Sequence, residues 1–345
     1  LFIEGPSAIA KQANLAQLQK HIPVLMFDEI HKFGKWKGFL KGFFDRYEKK
    51  AKIIVTGSAR LNVYQKGGDS LMGRYLYYRI HPLSVREIID SSFKDSEIQK
   101  PRKIPESEWE ALIEFGGFPE PFIQRSKTFS KRLYAIRQDQ LFYEDIRDAT
   151  RIQEIAQMQL LGQLIEQQPS QALDFSRLAK KVRVSADTIR RWIEVLKSFY
   201  FCFLIQPWSK NIARSLIKEP KLYLWDWSFI KDCGHRHENI VASHLLKAVH
   251  FWEDLGLGKY GLYYLRNKQQ HEVDFIVTKN EQPWFLVEVK SKSSTITKSL
   301  YQFQKETKAP YAFQVCFDLP YINQDCFTTH EPVIVPAKTF LSQLI

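Results

Sequence analysis

Three observations predict an α/β chain built from successive modules. First, short apolar runs at Val24–Phe27 and Ile53–Val55 flank a stretch with helical spacing; strand, helix, strand is the crossover unit of a parallel sheet. Second, two consecutive helical patterns lead into a strand at Phe199–Ile205. Third, two strands near the C-terminus, His271–Val277 and Trp284–Lys290, carry acidic residues among apolar ones.

A length of 345 residues allows two or three domains, and an apolar content of 44% suits globular cores. The formal charge of +12 and a pI near 9.3 favour a polyanionic partner such as nucleic acid. Cys202, Cys233, Cys316 and Cys326 form neither a C-x-x-C pair nor a metal-ligand spacing, which reads as reduced thiols in a cytoplasmic protein. No apolar run approaches the ~18 residues of a membrane span, and no signal peptide opens the chain, so no membrane role is expected. The chain begins at Leu1 within a strand-like run, Leu1–Glu4; we read it as a fragment lacking its natural N-terminus.

Residues 1–90 come first. Ala8–Gln19 has helical character, and Val24–Phe27 reads as a buried strand running directly into Asp28 and Glu29. Two adjacent carboxylates at a strand end are costly unless they have a task. Their usual task is to hold a hydrated Mg²⁺ and orient a water toward a nucleotide γ-phosphate. Trp36, Phe39, Leu40, Phe43, Phe44 and Tyr47 define one helical face. The second buried strand, Ile53–Val55, is followed by Thr56, Gly57 and Ser58. Ligands of parallel sheets lie at the carboxyl ends of the strands, so Asp28, Glu29, Thr56 and Ser58 should gather there.

The ordered segments VLMFDEI, LKGFFD, IIVTGSARL, GGDSLMGRY and HPLSVREI resemble the prokaryotic AAA+ ATPases that carry a nuclease-like C-terminal domain. The resemblance extends over nearly the whole chain. It implies a P-loop AAA+ core in which Asp28 and Glu29 are the Walker B pair, Asp28 for Mg²⁺ and Glu29 for water activation. It makes Thr56 or Ser58 the polar sensor of bound ATP. It also makes Arg74 a candidate arginine finger acting on a neighbouring subunit, and hence implies a homo-oligomer; the plain alternative for Arg74 is a surface salt bridge. One departure is serious: no G-x-x-x-x-G-K-[ST] occurs anywhere in the chain. That loop supplies the phosphate cradle and its lysine. Gly68–Tyr75 imitates it with Arg for Lys and Tyr for Ser/Thr, and lies downstream of Asp28. The loop is therefore expected upstream of Leu1, with ATP and Mg²⁺ used by the full-length protein and not by this chain alone.

Residues 91–165 contain a polar linker, Ser91–Pro105, and helices over Glu108–Phe115 and Lys131–Ile146, interrupted by Gly116–Pro121. The resemblance implies a helical lid here. In residues 166–228, Phe175–Val182 and Ala186–Ser198 form two helical patterns around a Val184–Ser185 turn. The second has Ile189, Trp192, Ile193 and Leu196 inward. The run LAKKVRVSADTIRRWIEVL resembles a winged helix, with Ser185 as the N-cap of the recognition helix. Lys180, Lys181, Arg183, Arg190 and Arg191 are the candidate phosphate contacts to nucleic acid, DNA in particular. Winged helices also serve protein contacts, and both readings stay open. Lys221–Asp226 reads as a strand leaving this module.

Residues 229–345 open with an amphipathic helix at Glu238–Val249. If the strands at His271–Val277 and Trp284–Lys290 pair, Asp274 approaches Glu288, and Lys290 shares a face with Glu288. Two carboxylates and a lysine at a sheet edge can hold a divalent cation and stabilise a pentavalent phosphate. The pattern resembles the PD-(D/E)xK signature of restriction-endonuclease-like nucleases, with Val273 in place of the proline. The resemblance implies Asp274 and Glu288, with Glu238 as an additional acid, as ligands of Mg²⁺ or Mn²⁺, Lys290 as a catalytic cation and Gln302 as a supporting contact. A solvated Glu-x-Lys pair on a surface hairpin is the bland alternative. Leu300–Gln304 begins another helix, Ala312–Phe317 is a buried strand, and Ile334–Ile345 is expected to be a peripheral strand and helix. At the level of function, an ATP-driven enzyme on nucleic acid stands beside a non-catalytic DNA-binding scaffold with an ATP switch.

Overall fold

A computed structural model of the chain describes residues 22–30, 33, 35–57, 71, 73–92, 96–147, 150, 152–209, 219–292 and 295–345. Contacts divide it into two units. One runs to Tyr77 and includes the short stretch Ser198–Tyr200; the other comprises Tyr78–Lys197 and Phe201–Ile345.

In the first unit, β1 (Val24–Phe27) pairs in parallel with β2 (Lys52–Val55), in a register that sets Phe27 beside Val55. Helix α1 (Trp36–Tyr47) makes the crossover and buries Leu40, Phe43 and Tyr47. Phe27 meets Phe39 and Phe43 edge-on, at centroid distances of 5.7 and 5.5 Å, the arrangement that ring quadrupoles favour. Among the described residues the strands are covered on one face: Val24 is 56% exposed and Met26 65%. The expectation of two buried strands therefore holds for one face, because the described residues supply one helical layer. The helix read at Ala8–Gln19 lies outside the described residues.

The second unit begins with α2 (Val85–Ile89), α3 (Glu106–Phe115), α4 (Pro119–Gln124) and α5 (Lys127–Asp139), which continues as a π-helical turn over Gln140–Ile146; α6 (Ile155–Glu166) follows. Gly116 (φ 80°) ends α3. A Cβ on Gly117 would lie 2.7 Å from the Trp227 ring and 2.9 Å from the Leu83 carbonyl, so the break between α3 and α4 is a point of close backbone approach that only glycine allows.

Next come β3 (Gln171–Ala172), α7 (Phe175–Val182), α8 (Ala186–Ser198), β4 (Cys202–Pro207) and β5 (Lys221–Leu224). The two helices and their turn form as the spacing predicts. Asp174 caps α7 through the Arg177 amide, and the Ser185 hydroxyl accepts from the Thr188 amide at 3.0 Å. Arg183 adopts the left-handed conformation (φ 61°) at the turn, where glycine is usual. The predicted strand begins three residues later than the spacing suggested, because Tyr200 (φ 55°) interrupts the extended run.

The C-terminal part holds α9 (Cys233–Asp254), β6 (Tyr260–Arg266), β7 (Glu272–Lys279), β8 (Gln282–Lys290), α10 (Lys298–Thr307), β9 (Tyr311–Cys316), β10 (Val333–Pro336) and α11 (Ala337–Gln343). The described strands of the second unit form one sheet in the order β10-β9-β8-β7-β6-β4-β5-β3. Strands β4 and β6 pair in parallel at Gln206↔Tyr263. The stretches read as a winged module and a separate C-terminal domain thus share a continuous sheet.

Helix α11 is not peripheral. Phe340, Ser342 and Gln343 are fully buried. Its polar residues tolerate this because backbone groups satisfy them: the Gln343 amide donates to the Gln99 carbonyl at 3.1 Å, and the Ser342 hydroxyl accepts from the Arg102 amide at 3.1 Å. The polar stretch read as a linker is strapped to the C-terminal helix. Among the described residues no helix is long and apolar enough to cross a membrane.

Helix α9 is bolted to the α2 region by histidines. His244 accepts from the Val85 amide at 3.1 Å, and His250 and His81 share a ring hydrogen bond of 3.0 Å. Lys247 pairs with Glu87 and donates to the Pro82 carbonyl at 2.8 Å. Burial pushes His81 down to about 3, helped by His250, Lys247 and Arg79; burial likewise pushes His244 and His250 down to about 4. The folded state holds these rings neutral, whereas the unfolded chain protonates them near their ordinary value. Their stabilising effect is therefore complete above about pH 6.5 and lost as pH falls toward 4. Buried carboxylates elsewhere, held above their usual range, act with the opposite sign, so the test is a comparison. His250→Gln should flatten the loss of thermal midpoint between pH 7 and 5 relative to wild type, by about 2–4 °C per kcal/mol recovered.

Candidate functional site

Two groups of predicted residues come together, one in each unit. In the first unit, Asp28 follows the last residue of β1 and Thr56 the last residue of β2. The parallel register continues through the Thr56 amide, which donates to the Phe27 carbonyl at 2.9 Å, and the Thr56 hydroxyl donates to Asp28 Oδ1. Asp28 is exposed and Glu29 half-buried, the latter with φ 49°. Glu29 thus lies in a left-handed turn beyond the end of the strand. Ser58 lies outside the described residues. Arg74 donates to Asp45 on α1 at 2.8 Å, with about a third of its side chain exposed. This is the surface ion pair weighed as the plain alternative to a finger, and it costs little to break.

The second group lies where β5, α9, β7 and β8 meet. The β7–β8 ladder runs to Phe275↔Val287. Beyond it the Asp274 side chain replaces the backbone partner, Oδ2 accepting from the Val289 amide at 2.8 Å. On the other edge of β7 the register to β6 slips between Tyr263↔Ile276 and Leu265↔Val273. Asp274 and Phe275 together oppose Tyr264 there, a bulge of the kind that re-aims a side chain. Glu288, one residue past Val287, is 7% exposed. Its Oε1 accepts from Lys290 at 2.7 Å, while its Oε2 is buried with no hydrogen-bond partner.

Glu238 projects from α9 into the same cluster. Asn239 fixes it there by bonding both the amide and the carbonyl of Leu224, at 2.8 and 2.7 Å. Glu238 Oε1 then accepts from Tyr223 at 2.8 Å and from Lys221 at 3.1 Å. Lys221, 4% exposed, also reaches Glu272 at 2.5 Å and Asp274 Oδ1 at 3.7 Å. Sequence reasoning missed Lys221 and Tyr223 as members of this site. The available signal was a lysine and a tyrosine two apart in an otherwise apolar strand, hence on one face.

Burial and Asp274 push Glu238 up to about 8 and Glu288 to about 7, and burial raises Asp274 as well. Burial opposes the charge on Lys221, but Glu238, Asp274 and Glu272 outweigh it and hold the ammonium above its ordinary value. Lys290 is raised in the same way, burial being overcome chiefly by Glu288. Gln302 bonds His271 at 3.2 Å and Glu306 at 2.8 Å. Among the described residues no group of three or more His, Cys, Asp and Glu is arranged to hold a metal ion. A site here would rest on two carboxylates with backbone or water oxygens completing it, and the buried, unpartnered Glu288 Oε2 fits that donor set.

The five predicted nucleic-acid contacts, Lys180, Lys181, Arg183, Arg190 and Arg191, are all exposed around the α7–α8 turn. Arg190 pairs with Asp187 at 3.1 Å and lies over Phe175 at 4.7 Å, and Arg191 bonds Thr188 at 3.3 Å. Glu194 and Asp187 are exposed on α8 as well, so its charge is mixed.

Residues 4–89 match the AAA domain family. The match supports an AAA-type ATPase family. Residues 233–335 match a domain of unknown function, DUF4143, and residues 106–232 match another, DUF8612. An uncharacterized protein of Methanocaldococcus jannaschii is 25% identical over 274 residues, covering 75% of this chain and 59% of its own length. Uncharacterized proteins of Mycobacterium tuberculosis and Mycobacterium bovis are each 22% identical over 287 residues, covering 80% of this chain and 61% of theirs. The chain thus spans about three fifths of the length of the curated relatives it matches. No solved structure matches the chain.

Tyr223 tests how much the cluster depends on its hydroxyl. Tyr223→Phe removes a donor from buried Glu238 while keeping the ring. It should cost about 1–3 kcal/mol, read as a lower chemical-denaturation midpoint at unchanged m-value.

Proposed function

We propose that the chain is part of an AAA+ ATPase whose C-terminal third, residues 229–345, is a PD-(D/E)xK nuclease-like module acting on nucleic acid. The observation that carries this reading is the convergence of Asp274, Glu288 and Lys290 at the end of the β7–β8 ladder, with one buried Glu288 oxygen left without a partner. Asp274 and Glu288 would hold a single Mg²⁺ or Mn²⁺, which when bound supplies a polarised phosphate and an acidified water. Lys290, 2.7 Å from Glu288, is placed to offset negative charge on a phosphate brought to that ion. The basic turn between α7 and α8 supplies exposed cations suited to a phosphate backbone. The mixed charge of α8 favours protein contact over DNA contact for this pair of helices, as a regulatory scaffold with an ATP switch would use it.

In the first unit, Asp28 and Thr56 occupy the positions of the Walker B aspartate and the polar sensor, Glu29 that of the activating acid, and Arg74 that of a finger released from Asp45 on assembly. Nucleotide chemistry belongs to a protein that also holds a phosphate loop, since none is present in these 345 residues.

Incubated with plasmid, branched and single-stranded DNA, the chain should cut at least one substrate only with Mg²⁺ or Mn²⁺. Lys290→Ala should lower the rate by at least about 100-fold, the scale of losing one transition-state contact; equal cutting by both proteins sinks the assignment. ATP turnover by the same chain should be undetectable. Measurable turnover that Glu29→Gln abolishes would show that a phosphate cradle exists without the usual loop.

A further inference from the structure

The acidic cluster contains its own cation. Lys221 is delivered by β5, whose backbone is held on both sides, by Ile205 of β4 and Ala172 of β3. Its ammonium group is within ion-pair reach of Glu238, Glu272 and Asp274, and it lies 5.6 Å from the Tyr264 ring centroid. Arg266 approaches Glu272 from the rim at 3.8 Å. A charge so deeply buried persists only where partners surround it, and removing one side of such a set is strongly destabilising.

The two oxygens of Asp274 are already divided. Oδ1 faces Lys221, and Oδ2 takes the Val289 amide. Glu238 Oε1 is likewise committed, to Lys221 and Tyr223. On the other side stands Glu288, its side chain nine-tenths buried and its Oε2 unpartnered. Two-metal phosphoryl sites place their ions about 3.5–4 Å apart on a shared carboxylate. Here one of those two places, on the Glu238 side of Asp274, is filled by an ammonium group.

We propose that Lys221 is a positioning residue that stands in for a second divalent ion. The C-terminal site then takes one metal, on the Asp274–Glu288 side, and Glu238 serves Lys221 and not the metal. This inference rests on the metal-site reading above and reassigns Glu238 within it.

Titration of the full chain with Mn²⁺, read by calorimetry and by the electron paramagnetic resonance of free ion, separates the two. With the first-unit acids silenced by Asp28→Asn, the chain should bind one Mn²⁺, and adding Glu288→Gln should weaken that binding more than about tenfold, the scale of one lost charged ligand. No specific Mn²⁺ binding by the Asp28→Asn chain overturns the metal-site reading itself. Given one bound ion, Glu238→Gln should change its affinity less than about threefold, because a glutamine can still accept from Lys221 and Tyr223. A loss of tenfold or more for Glu238→Gln, or two ions in the Asp28→Asn chain, overturns the role of Lys221. Lys221→Met, where it folds, should admit a second Mn²⁺, whereas Lys221→Arg should keep the count at one. A folded Lys221→Met with unchanged stoichiometry and affinity also overturns it.

Discussion

The second unit is organised by the need to keep a buried ammonium group neutralised. Lys221 cannot be withdrawn from water on β5 unless carboxylates from other elements reach it, and they come from α9 and β7. The breaking of such a set costs about 3–5 kcal/mol, comparable with much of a domain's net stability. This single requirement aligns three things. It fixes the roll of α9, pinned again by Asn239 on Leu224. It is met at the bulge where Asp274 and Phe275 together oppose Tyr264. It also makes the β4–β6 junction structural, because a break there would separate the cation from its partners.

Much of this layout was legible in the sequence because it is local. Helix α8 announced itself by Ile189, Trp192, Ile193 and Leu196, all of which are buried. The pairing of β7 with β8 and the closeness of Asp274 to Glu288 followed from alternation and a short turn. What escaped was non-local. Nothing in the spacing of KLYLWD says that its lysine points at acids contributed from residues 238, 272 and 274. Nothing marked Ser342 and Gln343 as interior, since polar residues at a C-terminus ordinarily face water. Their burial depends on backbone partners at Gln99 and Arg102, far away in sequence. The wing strand and the C-terminal strands were read apart for the same reason: parallel pairing of β4 with β6 is a contact across more than fifty residues of chain, and strand patterns carry no address.

The two carboxylate groups of the chain meet one electrostatic problem in opposite ways. Asp28 and Glu29 keep access to water, and a hydroxyl from the next strand supplies the near contact. High dielectric makes adjacent charge tolerable there, and a cation can enter and leave with its hydration shell. Asp274, Glu238 and Glu288 are withdrawn from water, and all three hold protons above the ordinary carboxylate range. Such acids require a cation that is already present, and β5 provides it as a side chain.

That difference bears on what each site can do. Under the proposed Walker B reading, an exposed pair would suit a metal that arrives with a nucleotide and departs with it, since binding and release then need little rearrangement of the protein. A cluster with a tethered cation has its geometry set before any ligand arrives, which is the condition for electrostatic preorganisation: no dipole has to turn at the moment charge develops. Among the described residues Glu288 Oε2 is the fully buried carboxylate oxygen of the cluster that stands without a hydrogen-bond partner, so under the proposed metal-site reading an incoming cation would go to the carboxylate that also holds Lys290. The position of Lys290 then follows from the position of Lys221. In the proposed reading, one lysine fills the Glu238 side of Asp274, and the other would be left as the cation that faces a phosphate.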